Sequence, residues 1–245
     1  MNEQELLKDW YFRYHIIYGK RYTRKQKDRF LDSLAADVRQ IRNDFQVDTF
    51  KLNAKDRNEY RNLYVGNPQK ADTIICTYYD TPIARFSPYH FFDLNDRKKK
   101  ITNFILLTSI LFIIVGLLFT IFVAIPVFQS YGAMNIRFLG CILFYILYFS
   151  YLNKITRGWP NRNNLIQNTS SVLLLLLSLT TFKSKRIAFA FVDAGCTNNA
   201  GLERVMEQNK AKIIMLDSIG ANTPLHLVDE NRGSVLLENL QEALS

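Results

Sequence analysis

Residues 101–127, ITNFILLTSILFIIVGLLFTIFVAIPV, contain no charged side chain, and this run constrains the fold more than any other stretch of the chain. At about 1.5 Å per residue such a helix crosses a hydrocarbon core of about 30 Å, and soluble core helices seldom run that far without a charge. The sequence therefore predicts a transmembrane helix here. A polar break over 129–135 leads to a second, aromatic-rich apolar run, 138–152, ending at Asn153 and Lys154. It reads as the return helix of a hairpin spanning 101–155.

Basic residues collect on the cytoplasmic flanks of short membrane segments. Arg97, Lys98, Lys99 and Lys100 precede the first helix, Lys154, Arg157 and Arg162 follow the second, and only Arg137 lies between them. These flanks predict a two-helix, multi-pass protein of the cell membrane with both termini cytoplasmic and the turn outside. Of the net charge of +9, the largest share falls in residues 1–100, with 20 basic against 14 acidic side chains. Membrane lipid is the partner this pattern fits, each basic residue near an anionic leaflet contributing about 1 kcal/mol. No nucleic-acid-binding motif accompanies the charge, so nucleic acid is not an expected partner. Cys76, Cys141 and Cys196 show no CxxC spacing and read as reduced thiols, and the N-terminus lacks the pattern of a cleavable signal peptide.

The arms divide into an N-terminal helical, basic segment (1–44) and two halves of a cytosolic domain (45–98 and 156–245). Residues 3–18 read as a short helix whose aromatic face packs in the core, with contact at the membrane interface as the alternative. Thr23 and Gln26 form a capping-box pattern ahead of Phe30, Leu34, Val38 and Ile41 at helical spacing, predicting a helix over 24–44. Its other face, with Lys25, Lys27, Arg29, Arg39 and Arg42, reads as solvated, with a lipid-headgroup contact as the alternative. Strands are expected over 47–52, 59–65 and 73–79, the last buried on both faces and ending at Asp80. A polar loop over 159–168 precedes 169–182, whose apolar core is short and whose start is rich in Ser and Thr. That stretch reads as a buried helix, with a third membrane span as the alternative. Residues 186–192 and 212–216 read as buried strands ending at Asp193 and Asp217, with a helix over 199–210 between them. The fold class is α/β, a mixed sheet with helices on both faces, interrupted by the hairpin.

Four stretches in this order, Tyr78-Tyr79-Asp80-Thr81-Pro82, Gln167-Asn168-Thr169-Ser170-Ser171, Val192-Asp193-Ala194-Gly195-Cys196 and Leu216-Asp217-Ser218-Ile219-Gly220, resemble the site motifs of the di-zinc aminopeptidase family. The resemblance covers roughly residues 45–90 and 160–230, and no single motif in it is specific. It implies that Tyr78 stands where the family has a His ligand, Gln167 where it has the metal-bridging Asp, and Gly195 and Cys196 where it has paired glutamates. Asp80 and Asp217 match, while His226 comes too soon after Asp217 to serve as the distal His. Gln and Tyr are poor zinc ligands and Gly supplies none. The expectation is a degenerate, catalytically inactive member with no metal and no cofactor, acting as a binding, accessory or scaffold subunit beside another membrane protein or complex. Zinc enters only under the alternative of a membrane-tethered metallopeptidase with a rearranged site. An immunity or transport-accessory membrane protein is the further alternative.

Overall fold

The computed structural model describes residues 3–56, 58–83, 94–132, 134–156, 158, 161 and 164–220. Five strands form one mixed sheet: β1 (Phe45–Phe50), β2 (Tyr60–Val65), β3 (Thr73–Tyr78), β4 (Ile187–Val192) and β5 (Lys212–Met215), in the order β1-β2-β4-β3-β5. β4, β3 and β5 run parallel, whereas β2 is antiparallel to both β1 and β4. β3 precedes the hairpin and β4 follows it, so residues from both sides of the apolar segment complete a single sheet.

Alternation along β4 sends Phe189 and Phe191 to one face and Ala188, Ala190 and Val192 to the other. The Phe face is covered by α1 (Glu3–Tyr11), α2 (Arg24–Ile41) and α6 (Ser170–Thr181), the Ala face by α7 (Ala200–Gln208). The predicted N-terminal segment is thus part of this core, with Trp10, Tyr14, Phe30, Leu34 and Val38 all buried. A capping box starts α2, Thr23 Oγ1 accepting from Gln26 N–H and Gln26 Oε1 accepting from Thr23 N–H at 3.1 Å. The helix stops at Ile41, short of the predicted Asp44, because the Asp44 carbonyl already accepts from Gly66 N–H at 2.7 Å beside the β1–β2 ladder. β1 accordingly begins two residues earlier than expected and leaves Leu52 exposed in the turn that follows.

Residues 165–181 are helical throughout, the first turn, Leu165–Thr169, in π form. This replaces part of the expected polar loop. Val172, Leu173, Leu175, Leu176 and Leu179 are buried against the sheet. Each such side chain contributes roughly 1.5–3 kcal/mol on leaving water, which explains why so apolar a helix sits in the core. β5 departs from expectation. It pairs only with β3, its residues are half-buried or exposed, and it is an edge strand among the described residues.

The apolar helices are α3 (Leu94–Phe119), continuing through a π turn (Thr120–Ala124) into α4 (Ile125–Tyr131), and α5 (Ile136–Thr156). Lys99–Tyr131 and Ile136–Thr156 are long and apolar enough to cross a membrane, and only 11% and 6% of their most apolar windows are buried. The π turn directly precedes Pro126, whose missing N–H and ring disturb regular helical bonding. Gly116 lets α3 and α5 approach: a Cβ there would meet the Tyr148 hydroxyl at 2.4 Å. Tyr148 donates to the Phe112 carbonyl at 2.9 Å, and Thr120 and Tyr145 share a hydroxyl–hydroxyl bond of 2.6 Å. Lys99 and Lys100 lie within the first turns of α3 and Lys154 in the last turn of α5, its ammonium over the Tyr151 ring. Arg157, Arg162 and both chain termini fall outside the described residues, as do the side chains of Arg97 and Lys98.

Candidate functional site

The parallel strands β3, β4 and β5 end at one edge of the sheet, and their last residues are followed by Asp80, Asp193 and Asp217. Such an edge is where open α/β sheets place their sites. Two of these aspartates precede non-glycine residues in the left-handed region, Ala194 (φ 60) and Ser218 (φ 54). That conformation costs about 1–2 kcal/mol per residue and turns the chain sharply away from the strand end.

Five of the six positions singled out from the sequence meet here through their side chains or amides. The Tyr78 ring lies against Gly195, where a Cβ would fall 2.2 Å from the Tyr78 Cβ, and its hydroxyl donates to Asp217 Oδ1 at 2.7 Å. Ser218 donates to the same oxygen at 3.0 Å. Both oxygens of the buried Asp80 accept from Cys196 N–H at 3.1 Å, which is the hydrogen-bonding role at a strand end that its position predicts. Cys196 Sγ donates in turn to the Asp80 carbonyl at 3.3 Å. Gln167 takes part through its carbonyl, which accepts from Ser218 N–H at 3.0 Å, and its buried side-chain Nε2 has no hydrogen-bond partner among the described residues. Its neighbour Asn168 reaches the site instead, donating to the Asp80 carbonyl.

Among the described residues, no three His, Cys, Asp or Glu side chains come together as metal ligands. Asp80 and Asp217 are oriented toward different partners, and the Tyr78 ring fills the space between strand ends that a side chain at 195 would need. A concavity of about 660 Å³ lies at the opposite edge of the sheet, lined in part by Arg42, Lys70 and Lys185, and shares no residue with this cluster.

Two basic residues that the sequence did not single out complete the electrostatics. Arg21 is fully buried; its Nη2 donates to Asn168 Oδ1 at 2.8 Å and Thr169 Oγ1 at 2.6 Å, and its guanidinium lies 4.6 Å over the Phe30 ring. Burial pushes it down to about 10, which leaves it charged at neutral pH. Lys27, read from the sequence as solvated, donates to both oxygens of the buried Asp193 at 2.8 and 3.0 Å. Asp193 also accepts from Ala194 N–H at 2.7 Å, while Asn62 Oδ1 accepts from Asp193 N–H at 3.0 Å. Lys27 and Asp193 are 166 positions apart, and no local spacing marks either as a partner of the other.

Burial, reinforced by the neighbouring Asp193 charge, pushes Asp80 up to about 7 against the opposing pull of Lys27 and the Cys196 amide. An unfolded Asp titrates near 3.9, so this carboxyl binds its proton more tightly in the folded state. Its contribution to stability is full below about pH 4 and is lost as pH rises through about 7. Thermal unfolding in mild detergent should therefore show stability falling between pH 5 and 8 by on the order of a few kcal/mol. Asp80→Asn should flatten that slope; an unchanged slope would show that Asp80 does not titrate in this window.

No protein-family model matches the chain, and no curated protein matches it.

Proposed function

We propose that this chain is a membrane-anchored, aminopeptidase-like domain without peptidase activity, acting as an accessory or scaffold subunit of a membrane assembly. The observation that carries the reading is Tyr78 lying on Gly195 with its hydroxyl on Asp217. At the positions matched to a His ligand, a glutamate and an Asp ligand, the space for a metal and its water is taken by a packed phenol. The remaining carboxylate, Asp80, is buried with both oxygens accepting from the Cys196 backbone amide. The clustering of residues from all four resembling stretches at one sheet edge supports the likeness to that family. Two apolar helices with outward-facing Leu, Ile and Phe side chains support anchoring in a bilayer, and the flanking lysines support cytoplasmic termini. The domain's work is then binding.

The protein, extracted from membranes in mild detergent without chelator, should carry substoichiometric zinc and turn over no member of an aminoacyl-anilide panel. Partner chains should co-purify with it. A full zinc pair, with turnover abolished by Asp80→Ala, would replace this reading by a rearranged metallopeptidase.

A further inference from the structure

The segment that leaves β3 for the hairpin and the segment that comes back from it ahead of α6 meet beside residues 19–21. Thr81 N–H donates to the Arg21 carbonyl at 3.1 Å, Arg21 N–H to Thr81 Oγ1 at 2.9 Å, Asn161 N–H to the Pro82 carbonyl at 3.0 Å and Asn164 Nδ2 to the Gly19 carbonyl at 3.1 Å. Residues 19–21 are therefore bonded to both roots of the hairpin. Immediately before them lies a π-helical turn, Phe12–Ile17, which contacts the π turn Leu165–Thr169.

Tyr14 fixes this turn, its ring edge-on to Phe30 at 5.1 Å and its hydroxyl on the buried Asp37, which also accepts from Arg13 at 2.6 Å. With Tyr14 directed inward, Phe12, Ile16 and Ile17 are left exposed at 55%, 45% and 58%, and Ile166 on the neighbouring turn at 55%. Exposed Lys20 adds a cation beside them. Adjacent bulky apolar side chains on an otherwise well-packed domain mark a surface that meets a low-polarity phase.

The hairpin roots identify that phase. Eight chain steps separate Thr156, the end of α5, from Asn164, a reach of roughly 25–30 Å at full extension and less in any bent path. The apolar turn is thereby kept within that distance of the end of α5, which the anchoring reading places at the bilayer surface. We propose that Phe12, Ile16, Ile17 and Ile166 seat the domain in the headgroup–acyl boundary of the membrane that the hairpin crosses, with Lys20 at the phosphate level. The inference rests on the anchoring reading above and adds a second, peripheral contact that sets the domain's orientation. The site edge with Tyr78, Asp80 and Asp217 then faces the bilayer, and the basic edge with Lys185 faces away from it.

Full-length protein, with Cys141→Ser to remove the hairpin thiol, is labelled with a polarity-sensitive fluorophore at Ile17→Cys, Phe12→Cys, Leu111→Cys or Lys185→Cys. The other native cysteines are buried. Each protein is reconstituted into phosphatidylethanolamine–phosphatidylglycerol vesicles containing spin-labelled lipid. Quenching several-fold stronger at positions 12 and 17 than at 185, together with quenching at 111, is the expected result. Quenching at 111 with none at 12 or 17 overturns the inference and leaves the hairpin anchor standing; a face kept for a protein partner would give that pattern. No quenching at 111 overturns the anchoring reading and this inference with it.

Discussion

Replacing Lys27 by Met is expected to destabilise the domain by about 3–5 kcal/mol, the usual cost of stripping one partner from a buried ion pair. Met preserves much of the apolar stem, so the loss reports the charge and its hydrogen bonds. Asp193 is 2% exposed and would keep the Arg61 and Ala194 backbone amides and the Tyr79 hydroxyl as hydrogen-bond partners but lose its facing cation. The same ammonium also opposes the mutual repulsion of Asp193 and Asp80, so its removal pushes Asp80 further up. The deficit should consequently be larger at pH 8, where Asp80 is ionised in wild type, than at pH 5. At roughly 2–4 °C per kcal/mol for a domain of this size, the melting temperature should fall by on the order of 10 °C. Fluorescence of Trp10, buried in the core, is a suitable reporter. A variant that melts within a degree of wild type at both pH values would show that Lys27 is solvated after all.

The second large effect is expected at Gly195. A Cβ there would stand 2.2 Å from the Tyr78 Cβ and 2.4 Å from its Cγ, contacts that the ring cannot relieve by rotating because its own Cβ is involved. Gly195→Ala should cost about 3 kcal/mol, at the upper end of ordinary overpacking. In a Tyr78→Gly background, which removes that Cβ, the same substitution should cost far less, a coupling of roughly 2 kcal/mol in a double-mutant cycle. Additive losses would mean that the two positions do not share the space. The pair also bears on restoration of activity. Glutamate at 195 would meet the Cβ and Cγ that tyrosine and histidine share, so Tyr78→His alone leaves no room for it, and rebuilding a metal site also needs the backbone at one of the two positions to shift.

Much of the architecture is legible in the sequence because it is encoded locally. The capping box at Thr23 and Gln26, the charge-free run before Val127 and the β-branched run of β3 each carry their own signal within a few residues. The two parallel strands with central positions, β3 and β4, fall within a residue of expectation for the same reason. What local pattern cannot supply is the third dimension. Lys27 occupies a helical position that elsewhere would be solvated, and only the fold brings Asp193 beneath it. Residues 212–215 read as buried because they are apolar, yet burial depends on neighbours and β5 has a strand partner on one side only. Arg21 lies between an aromatic stretch and a helix cap with nothing to distinguish it from a surface residue. At the site, the resemblance points to Tyr78, Asp80, Gly195, Cys196 and Asp217, and it points to Gln167 rather than to Asn168, whose side chain does the bonding.

The interruption of the sheet also has a consequence for biosynthesis. β3 and β4 are neighbours in space, but about 110 residues separate the end of one from the start of the other. At ~5–20 residues per second a ribosome takes on the order of ten seconds to deliver the second strand after the first. During that interval β3 has no β4 to pair with, and its neighbouring apolar surface awaits α6, which is also made after the hairpin. The hairpin is made within the same interval, so on the anchoring reading its insertion and the survival of the half-made sheet are competing events in time. A chain delayed at that step would keep an open strand edge, exposed to chaperones and proteases until its second half arrives.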